Sequence, residues 1–330
     1  MHVLVTGGAG RVGRRLVGDL LARGDVVTSF DRVTSPLEHA CLKHVTGTLN
    51  DPSACAAAVD GADVVVHTGA HMSWVASDAQ ILHEANVTGT FVLLRAASQA
   101  KVRRFVFASS GEVYPETAPD FLPITEDHQT RPRSLYGLTK LLGEQMVDFF
   151  ARTTAMETVI LRFSHTQDAT ELLDPDSFFS GPRFYLRARI RQQAAFGNTA
   201  VVDALKPHDD GTEKLLISRG SDGTVFRMPI TDTRDLVAGV VAALDSSNAV
   251  GMVLNLGTEE AIAFDDAVAH LKAVTGLPVV DVRLPVAAVN YVTCRKAAIE
   301  ALGVRPRWTF AAMVEDAAWA ARLKAGGSAG

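Results

Sequence analysis

Short apolar runs alternate with longer segments of helical periodicity over the first half of the chain. The runs have the length of strands and lie at residues 3–6, 26–30, 42–45, 64–67, 105–108 and 158–162. Apolar residues recur at spacings of three and four over residues 11–22, 52–59, 81–99 and 134–152, as helices with one buried face require. Apolar strands that alternate with helices indicate a parallel sheet covered on both faces, so the pattern predicts a doubly wound α/β fold.

The pattern changes after residue 163. Residues 168–182 and 206–223 are rich in Asp, Ser, Gly and Pro and are predicted to be long loops. The α/β pattern resumes with a helix at 232–244, a strand at 252–256 and helices at 264–274, 295–302 and 310–324. We therefore expect a first domain of residues 1–164 plus about 231–257. A smaller C-terminal α/β substrate domain would contain about 165–230 and 258–330.

The composition is that of an ordinary globular protein, since 47% of the 330 residues are hydrophobic and 21% are charged. The 32 Lys and Arg residues are outnumbered by 37 Asp and Glu residues and form no dense basic cluster, which argues against a nucleic-acid partner. The three cysteines are widely spaced, so neither a disulfide framework nor a metal site is expected. No apolar run approaches the ~20 residues of a membrane helix and no signal peptide is visible. We expect a cytoplasmic protein with no membrane contact.

A glycine-rich turn follows the first predicted strand. Gly7, Gly10 and Gly13 satisfy the pattern G-x-x-G-x-x-G, and Arg11 and Val12 open the helix that comes next. A bound pyrophosphate needs a tight turn, a backbone free of Cβ atoms and a helix N-terminus with unpaired N–H groups. The strand-turn-helix context therefore predicts a dinucleotide site in a Rossmann-type sheet. The alternative is a glycine-rich turn that binds nothing.

An acidic residue ends the second predicted strand. Asp31 lies 18 residues after Gly13, close to the spacing at which a carboxylate accepts hydrogen bonds from the adenosine ribose. A 2′-phosphate would meet negative charge there, so NAD is predicted in preference to NADP. Arg32 could stack on the adenine or pair with a phosphate instead. The alternative for Asp31 is a turn residue at a strand end.

Tyr136 and Lys140 lie four residues apart at the start of a predicted helix, so both side chains share one face. A free phenol is a poor base at neutral pH, but a nearby lysine cation favours the phenolate and lowers its pKa. Together the two residues could move a proton. The alternative is an aromatic residue at a helix start and a solvated lysine.

These motifs together resemble the extended short-chain dehydrogenase/reductases of the NAD-dependent epimerase/dehydratase group. The resemblance rests on the glycine-rich turn, Asp31, the pair Tyr136 and Lys140, and segments 47–49, 66–70, 86–90 and 109–114. It implies Tyr136 as general acid/base, Lys140 as its electrostatic partner and a ribose contact, and Ser110 as the hydroxyl that orients the substrate oxygen. The remaining cofactor contacts that it implies are Thr48, Leu49, Thr68, Gly69, Ala70, Asn86, Ala108 and Phe163.

Four further residues are candidates for substrate binding, and the resemblance indicates three of them, Glu112, His165 and Arg227. Glu112 occupies a position where members that dehydrate or decarboxylate sugars often carry a carboxylate, so it could bind substrate or act as a second acid/base. Gly111, however, stands where dehydratases usually have Asp, which argues against sugar dehydration. His165 replaces a substrate-binding Asn, and Arg183 and Arg227 could bind an anion, although Arg227 is one residue out of register. A surface glutamate and a structural histidine are the alternatives.

Three functions follow from these observations. The first is an NAD-dependent oxidoreductase acting on a secondary alcohol of a sugar-like or sugar-acid substrate. The second is a nucleotide-sugar epimerase in which tightly bound NAD is reduced transiently, and the third is a non-catalytic NAD-sensing protein. The resemblance also implies a homodimer formed through the helices predicted at 81–99 and 134–152.

Overall fold

Strands and α-helices alternate along residues 1–327, the part of the chain that this computed structural model describes, with side chains described to residue 323. The strands are β1 (His2–Thr6), β2 (Val26–Asp31), β3 (Leu42–Thr46), β4 (Val64–His67), β5 (Arg104–Ser110), β6 (Glu157–Phe163), β7 (His165–Gln167), β8 (Leu215–Arg219), β9 (Arg227–Asp232), β10 (Val253–Leu256), β11 (Ala261–Ala263) and β12 (Val279–Arg283). The helices are α1 (Arg11–Ala22), α2 (Pro52–Val59), α3 (Ala79–Leu82), α4 (Gly89–Gln99), α5 (Leu135–Thr153), α6 (Ser180–Phe184), α7 (Leu186–Ala195), α8 (Thr199–Leu205), α9 (Thr233–Asp245), α10 (Phe264–Thr275), α11 (Lys296–Leu302) and α12 (Phe310–Gly327).

A seven-stranded parallel sheet forms the centre of the molecule, in the order β10-β6-β5-β4-β1-β2-β3. Successive side chains of a strand point to opposite faces, and β1 shows the consequence. Val3 and Val5 pack with residues of α1 and α9, whereas Leu4 packs with residues of α2, α4 and α5. Both faces of the sheet are therefore covered, and the predicted doubly wound α/β fold is confirmed.

A second hydrophobic core lies outside the central sheet. It includes Phe184, Leu215, Phe226 and Phe264, and it packs around two small sheets of order β11-β9-β7 and β12-β8. The segment 233–256 returns to the first core, because α9 packs on α1 and β10 pairs with β6. Helix α11 also contributes to the first core. We therefore propose that 233–256 and α11 belong with the first domain.

Three sequence-based expectations differ from the structure. The segment 206–223, predicted to be a loop, contains β8, which pairs with β12, a strand that the sequence pattern did not indicate. Helices α7 and α8 were not predicted, since their apolar stripes are short and interrupted by charged residues. The helix predicted at 81–99 is divided into α3, a π-helical segment His83–Thr88 and α4. Such π-helical turns are often found at functional sites.

No helix in the described part of the chain is both long enough and apolar enough to cross a membrane.

A buried ion pair connects helix α5 to the central sheet. Arg162 of β6 donates to both carboxylate oxygens of Glu144 on α5, with Nε–Oε1 and Nη2–Oε2 distances of 2.9 and 2.7 Å. Ser109 of β5 donates to the same carboxylate at 2.5 Å. Arg162 Nη1 also donates to the hydroxyl of Tyr114, which donates in turn to Asn255 of β10. These contacts fix α5 against β5 and β6.

Substitution of Glu144 by Gln is expected to lower the free energy of unfolding by about 3–5 kcal/mol, because the buried Arg162 guanidinium loses its counter-charge. Asp148→Asn, one turn further along α5, removes an exposed ion pair with Arg152 and should cost less than about 1 kcal/mol. Denaturant unfolding of both variants measures the difference. Equal losses of stability in the two variants would contradict the expectation that the buried ion pair contributes more than the exposed one.

Candidate active site

The glycine-rich turn joins β1 to α1 as the dinucleotide prediction requires. Gly7 has a positive φ of 68°, and a Cβ atom on it would lie 2.8 Å from the Cα of Gly69. A Cβ atom on Gly13 would collide with the carbonyl oxygen of Gly7. Gly10 precedes α1 and places no side-chain acceptor on the first N–H groups of that helix. The turn therefore presents bare backbone and unpaired donors, which fit a pyrophosphate.

The predicted adenosine end of the site surrounds this turn. One carboxylate oxygen of Asp31 accepts from the Ala9 N–H at 3.0 Å, and the other accepts from the Arg32 N–H at 2.6 Å. Leu49 and Gly69 also converge here, since a Cβ atom on Gly69 would lie 3.3 Å from Leu49 Cδ1. Asp31 thus helps to hold the turn in shape, which is compatible with its predicted contact to a ribose.

Asn86, which the sequence predicts to contact the cofactor, is hydrogen-bonded within the protein. Its side-chain oxygen accepts from the His71 N–H at 2.7 Å, and its amide nitrogen donates to His71 O and Thr139 Oγ1, both at 2.9 Å. Asn86 is buried and lies outside the cavity wall. Asn86 therefore holds the loop after β4 against α5, because both amide hydrogens and one lone pair of its oxygen are used within the protein.

A cavity of about 470 Å³ opens at the carboxyl ends of β4, β5 and β6. In parallel sheets this edge is where ligands bind. The predicted site residues that line the cavity are Arg11, Val12, Thr68, Ala70, Ala108, Ser110, Glu112, Tyr136, Lys140, Phe163, His165 and Arg183. The structure thus brings together most of the predicted catalytic and substrate contacts, with the glycine-rich turn directly before Arg11 and Val12.

Ser110, Tyr136 and Lys140 converge at this cavity. Ser110 ends β5, while Tyr136 and Lys140 lie on one face of the first turns of α5, whose N-terminus is capped by Ser134. The Lys140 ammonium donates to the Ala108 carbonyl at 2.8 Å and lies 5.8 Å from the centre of the Tyr136 ring. A hydroxyl, a phenol and a cation therefore meet in one place, as proton transfer to or from a substrate oxygen requires.

The pKa of Tyr136 is shifted in the direction opposite to the one expected from the sequence. Burial raises the pKa of the phenol, the charge of Glu112 raises it further, and a hydrogen bond with Ser110 only partly offsets these effects. Burial also lowers the pKa of Lys140 to about 8, against the attraction of Glu144. In the protein alone, desolvation therefore decides the direction of the Tyr136 shift, against the expectation that the Lys140 cation lowers this pKa.

Glu112 occupies the cavity wall and is not a surface glutamate. Its carboxylate accepts from Trp74 Nε1 at 3.0 Å and from Ser134 Oγ at 2.5 Å. Burial and the nearby charge of Glu116 raise the pKa of Glu112 to about 7, although the Ser134 and Trp74 hydrogen bonds act in the opposite direction. A carboxyl group near neutrality beside a phenol can exchange protons at physiological pH.

His165 is held by charged groups on both sides. Arg183 Nη2 lies 3.0 Å from His165 Nδ1, and Glu116 Oε1 lies 3.3 Å from His165 Nε2. Since arginine can only donate, Nδ1 is the acceptor in this contact, and Nε2 faces Glu116. His165 and Arg183 therefore form part of a polar wall that faces the substrate space.

Steric packing explains why residue 111 of this chain is a glycine. A Cβ atom at this position would collide with the hydroxyl oxygen of the buried Tyr291. An aspartate in its place, the residue that the resemblance associates with sugar dehydration, could not be accommodated unless Tyr291 moved. This packing agrees with the sequence argument against dehydration.

Arg227 is not at the cavity, which corrects its predicted role in substrate binding. Its side chain is exposed and donates to the Ala261 carbonyl at 3.1 Å, while its neighbours Phe226 and Met228 line the cavity instead. Successive side chains of a strand point to opposite faces. An error of one residue in the register near β9 therefore exchanges the residues that face the cavity with those that face away from it.

Several cavity residues were missed by the sequence analysis. They are Trp74, Glu116, Arg189, Gln192 and Gln193. Arg189, Gln192 and Gln193 belong to α7, and their spacing of three and four would have indicated a shared helical face if α7 had been predicted. Trp74 and Glu116 lie outside regular α-helix and strand, so periodicity gives no signal for them.

Comparisons with known proteins agree with this geometry. A family model described as the NAD dependent epimerase/dehydratase family matches residues 3–257. The crystal structure of a short-chain dehydrogenase/reductase superfamily protein from Agrobacterium tumefaciens with bound NAD is 51% identical, covers 99% of each chain and superposes with a TM-score of 0.94. MoeE5 in complex with UDP-glucuronic acid and NAD is 25% identical over 98% of this chain and 100% of that chain, with a TM-score of 0.76.

A curated relative matches only part of the chain. A 3 beta-hydroxysteroid dehydrogenase/Delta 5→4-isomerase from Mycobacterium tuberculosis is 41% identical over 159 residues, which are 44% of this chain and 42% of its own length. The chain therefore spans less than half the length of this relative.

Substitution of Glu112 by Gln is expected to change how stability depends on pH. The pKa of Glu112 is raised from 4.5 to about 7 in the folded protein, so its contribution to the free energy of unfolding is fully present below about 4.5 and is lost as the pH rises to about 7. The stability of the wild type relative to Glu112→Gln should fall over that interval and stay constant above it. Denaturant unfolding at a series of pH values measures this.

The control is Glu300→Gln, at an exposed position on α11. Its stability relative to the wild type should vary little over the same interval. A Glu112→Gln curve parallel to the wild type would contradict the raised pKa.

Proposed function

The chain belongs to the NAD-dependent epimerase/dehydratase family, whose model matches residues 3–257, and on that basis we propose that it oxidises or reduces a secondary alcohol or ketone of a sugar-like or sugar-acid substrate. Family membership confirms the resemblance seen in the sequence and NAD as the cofactor. The observation that carries the proposal is the convergence of Ser110, Tyr136 and Lys140 on one cavity, with the glycine-rich turn beside it.

The residues of the turn fit the cofactor. Gly7, Gly10 and Gly13 leave the space that a pyrophosphate needs, and the carboxylate of Asp31 would meet the adenosine ribose. Tyr136, Lys140 and Phe163 would hold the nicotinamide riboside end. Oxidised NAD, when bound, supplies the hydride acceptor and a positive charge that favours the Tyr136 phenolate.

Tyr136 is the group that gives or takes the proton of the reacting oxygen. Its phenol is neutral in the protein alone, so it is set to donate a proton to a ketone oxygen during reduction. In oxidation it accepts the carbinol proton once the phenolate is favoured. Ser110 can hold the substrate oxygen within reach of the phenol, and Lys140 is anchored to Ala108 so that its charge stays beside both groups.

A second candidate is epimerisation of a nucleotide sugar, and the similarity to MoeE5 in complex with UDP-glucuronic acid and NAD supports a nucleotide-sugar ligand. The position of Arg227 weakens it, because this predicted anion contact is exposed and does not line the cavity. The two reactions differ in one measurable respect, since only a dehydrogenase accumulates NADH from added NAD.

Tyr136→Phe is expected to lower turnover by about 10²- to 10⁴-fold, because it removes the proton-transfer group and leaves the ring in place. Absorbance at 340 nm is followed with NAD and a panel of sugars, sugar acids and nucleotide sugars. Tyr185→Phe is the matched control, since its hydroxyl donates to the Leu172 carbonyl away from the cavity, and its turnover should be retained.

NADH accumulation that only Tyr136→Phe abolishes supports the dehydrogenase. Product isomers without NADH accumulation would favour the epimerase, and bound NAD with no turnover of any compound would favour the sensing protein.

We also propose that the protein forms a homodimer through α4 and α5. Phe91 on α4 and Leu138, Leu142 and Phe149 on α5 are large apolar side chains left exposed in the single chain. The α5 residues are spaced at i, i+4 and i+11, so they share one face. An exposed apolar face of this kind is typical of a protein interface.

Leu142→Glu is expected to shift the protein from dimer to monomer in light scattering, because it places a charge in the proposed interface. Val274→Glu on α10 is the control, since Val274 is 41% exposed and Leu142 is 40% exposed. An unchanged mass for Leu142→Glu, or a wild type that is already monomeric, would contradict the proposed interface.

A further inference from the structure

Helix α7 presents a polar face to the interior of the cavity. Arg189, Gln192, Gln193 and Phe196 are spaced at i, i+3, i+4 and i+7, and all four line the cavity. A helix that covers a protein interior normally turns apolar residues inward. Three of these four residues are polar, so this wall is suited to a polar ligand.

The three arginines of α7 differ in their partners. Arg187 and Arg191 share the opposite face and are exposed, and they pair with Asp209 at 3.6 Å and Asp176 at 2.5 Å. Arg189 is half-buried, and no carboxylate lies within salt-bridge distance of it among the described side chains.

The polar atoms of Arg189 are poorly satisfied. Its Nη1 donates to Gln192 Oε1 at 3.0 Å, and its Nε is buried without an acceptor in the described part of the chain. Burial lowers the pKa of the guanidinium to about 10, so the group is still cationic at neutral pH. An unpaired, partly desolvated cation is costly unless a ligand brings the counter-charge.

The other cations of the cavity differ in how closely a carboxylate approaches them. Burial lowers the pKa of Arg183 to about 10, although the charge of Glu116 acts in the opposite direction, and both groups contact His165. Arg11 is paired with Glu171 at 2.9 Å. Lys140 and the exposed Arg133 also line the cavity without an ion pair among the described side chains, but only Arg189 lies on α7. Glu112, with its pKa of about 7, adds partial negative charge on the Tyr136 side.

We propose that Arg189 binds a single carboxylate group of the substrate, so that the substrate of the proposed oxidoreductase is a hydroxy acid of the sugar-acid class. This inference rests on the proposed function, because it concerns the same cavity. Arg189 and Gln192 hold the acid group at the α7 wall, while Ser110 and Tyr136 take the reacting oxygen at the β5 and α5 wall. Arginine suits this task because its planar guanidinium group can donate two parallel hydrogen bonds to one carboxylate.

A carboxylate fits the cavity better than a phosphate or diphosphate. Glu112 and Glu116 line the same cavity, and a group with two negative charges would be repelled more strongly than a group with one. A single negative charge is enough to balance Arg189 at the α7 wall. Repulsion by these two glutamates therefore favours a simple acid over a nucleotide sugar.

The test compares acids with neutral analogues on the NAD-loaded enzyme. Hexuronates, the parent hexoses, hexose phosphates and UDP-hexoses are the probes. For the acids, Arg189→Gln is expected to raise KM about 10- to 100-fold with little change in kcat, since it removes a charge-assisted hydrogen bond from binding. For the parent hexoses, KM should be unchanged. Arg189→Lys should give an intermediate loss, because it keeps the charge without the fork.

Arg187→Gln is the matched control on the same helix, and it should behave as the wild type because its side chain lies outside the cavity. A second readout is the melting temperature of the NAD-loaded protein with added hexuronate. The acid should raise it for the wild type and for Arg187→Gln, but not for Arg189→Gln.

Equal effects of Arg189→Gln on acids and hexoses, or no stabilisation of the wild type by any acid, would overturn the carboxylate site. Preference for phosphates or UDP-hexoses that is lost in Arg189→Gln would overturn the choice of carboxylate. If no compound is turned over but hexuronates stabilise only proteins with Arg189, the binding site stands and the proposed oxidoreductase function fails.

Discussion

The buried pair between Glu144 and Arg162 is the interaction on which the active site depends. It joins α5 to β6, and the Ser109 hydroxyl adds β5 to the same carboxylate. The site residues come from these elements, with Tyr136 and Lys140 on α5 and Ser110 directly after Ser109. Because ion pairs of this kind seldom improve stability over apolar packing, their value here is geometric. They fix where the helix that carries the phenol lies relative to the strand that carries the hydroxyl.

The cavity places groups of like charge close together at an energetic cost. Glu112 lies near Glu116, and Arg183 lies near Arg189, and burial disfavours the charged form of each group whose pKa is shifted. Such arrangements are typical of functional sites, where the energy is recovered when a ligand supplies the missing partner. Burial affects the Tyr136 phenol in the same way. Its pKa is raised in the protein alone, and this pKa must fall before the phenol can act as a base.

The sequence was sufficient to predict the central sheet and the part of the site that short local motifs contain. Gly7, Gly10 and Gly13 are required by one turn, and Tyr136 and Lys140 are neighbours on one helix, so spacing alone predicts their geometry. Seven parallel strands followed from apolar runs, because strands buried on both faces have a strong signal.

The remainder of the site depends on tertiary packing. Arg189 was missed because α7 is short and rich in arginine, and Arg227 was misplaced because one residue of register exchanges the faces of a strand. The sign of the Tyr136 pKa shift depends on burial, which only the folded structure shows. Asn86 matched a motif, but its hydrogen bonds to His71 and Thr139 show a supporting role.

The most direct test of the central claim is to follow a deuterium label placed on the carbinol carbon of the best substrate in the panel. We predict that, in a single turnover with enzyme and NAD, the label appears in the reduced nicotinamide by NMR, and that Tyr136→Phe strongly slows this transfer. Consumption of the substrate with the label lost to solvent, or transfer at the wild-type rate in Tyr136→Phe, would contradict the account.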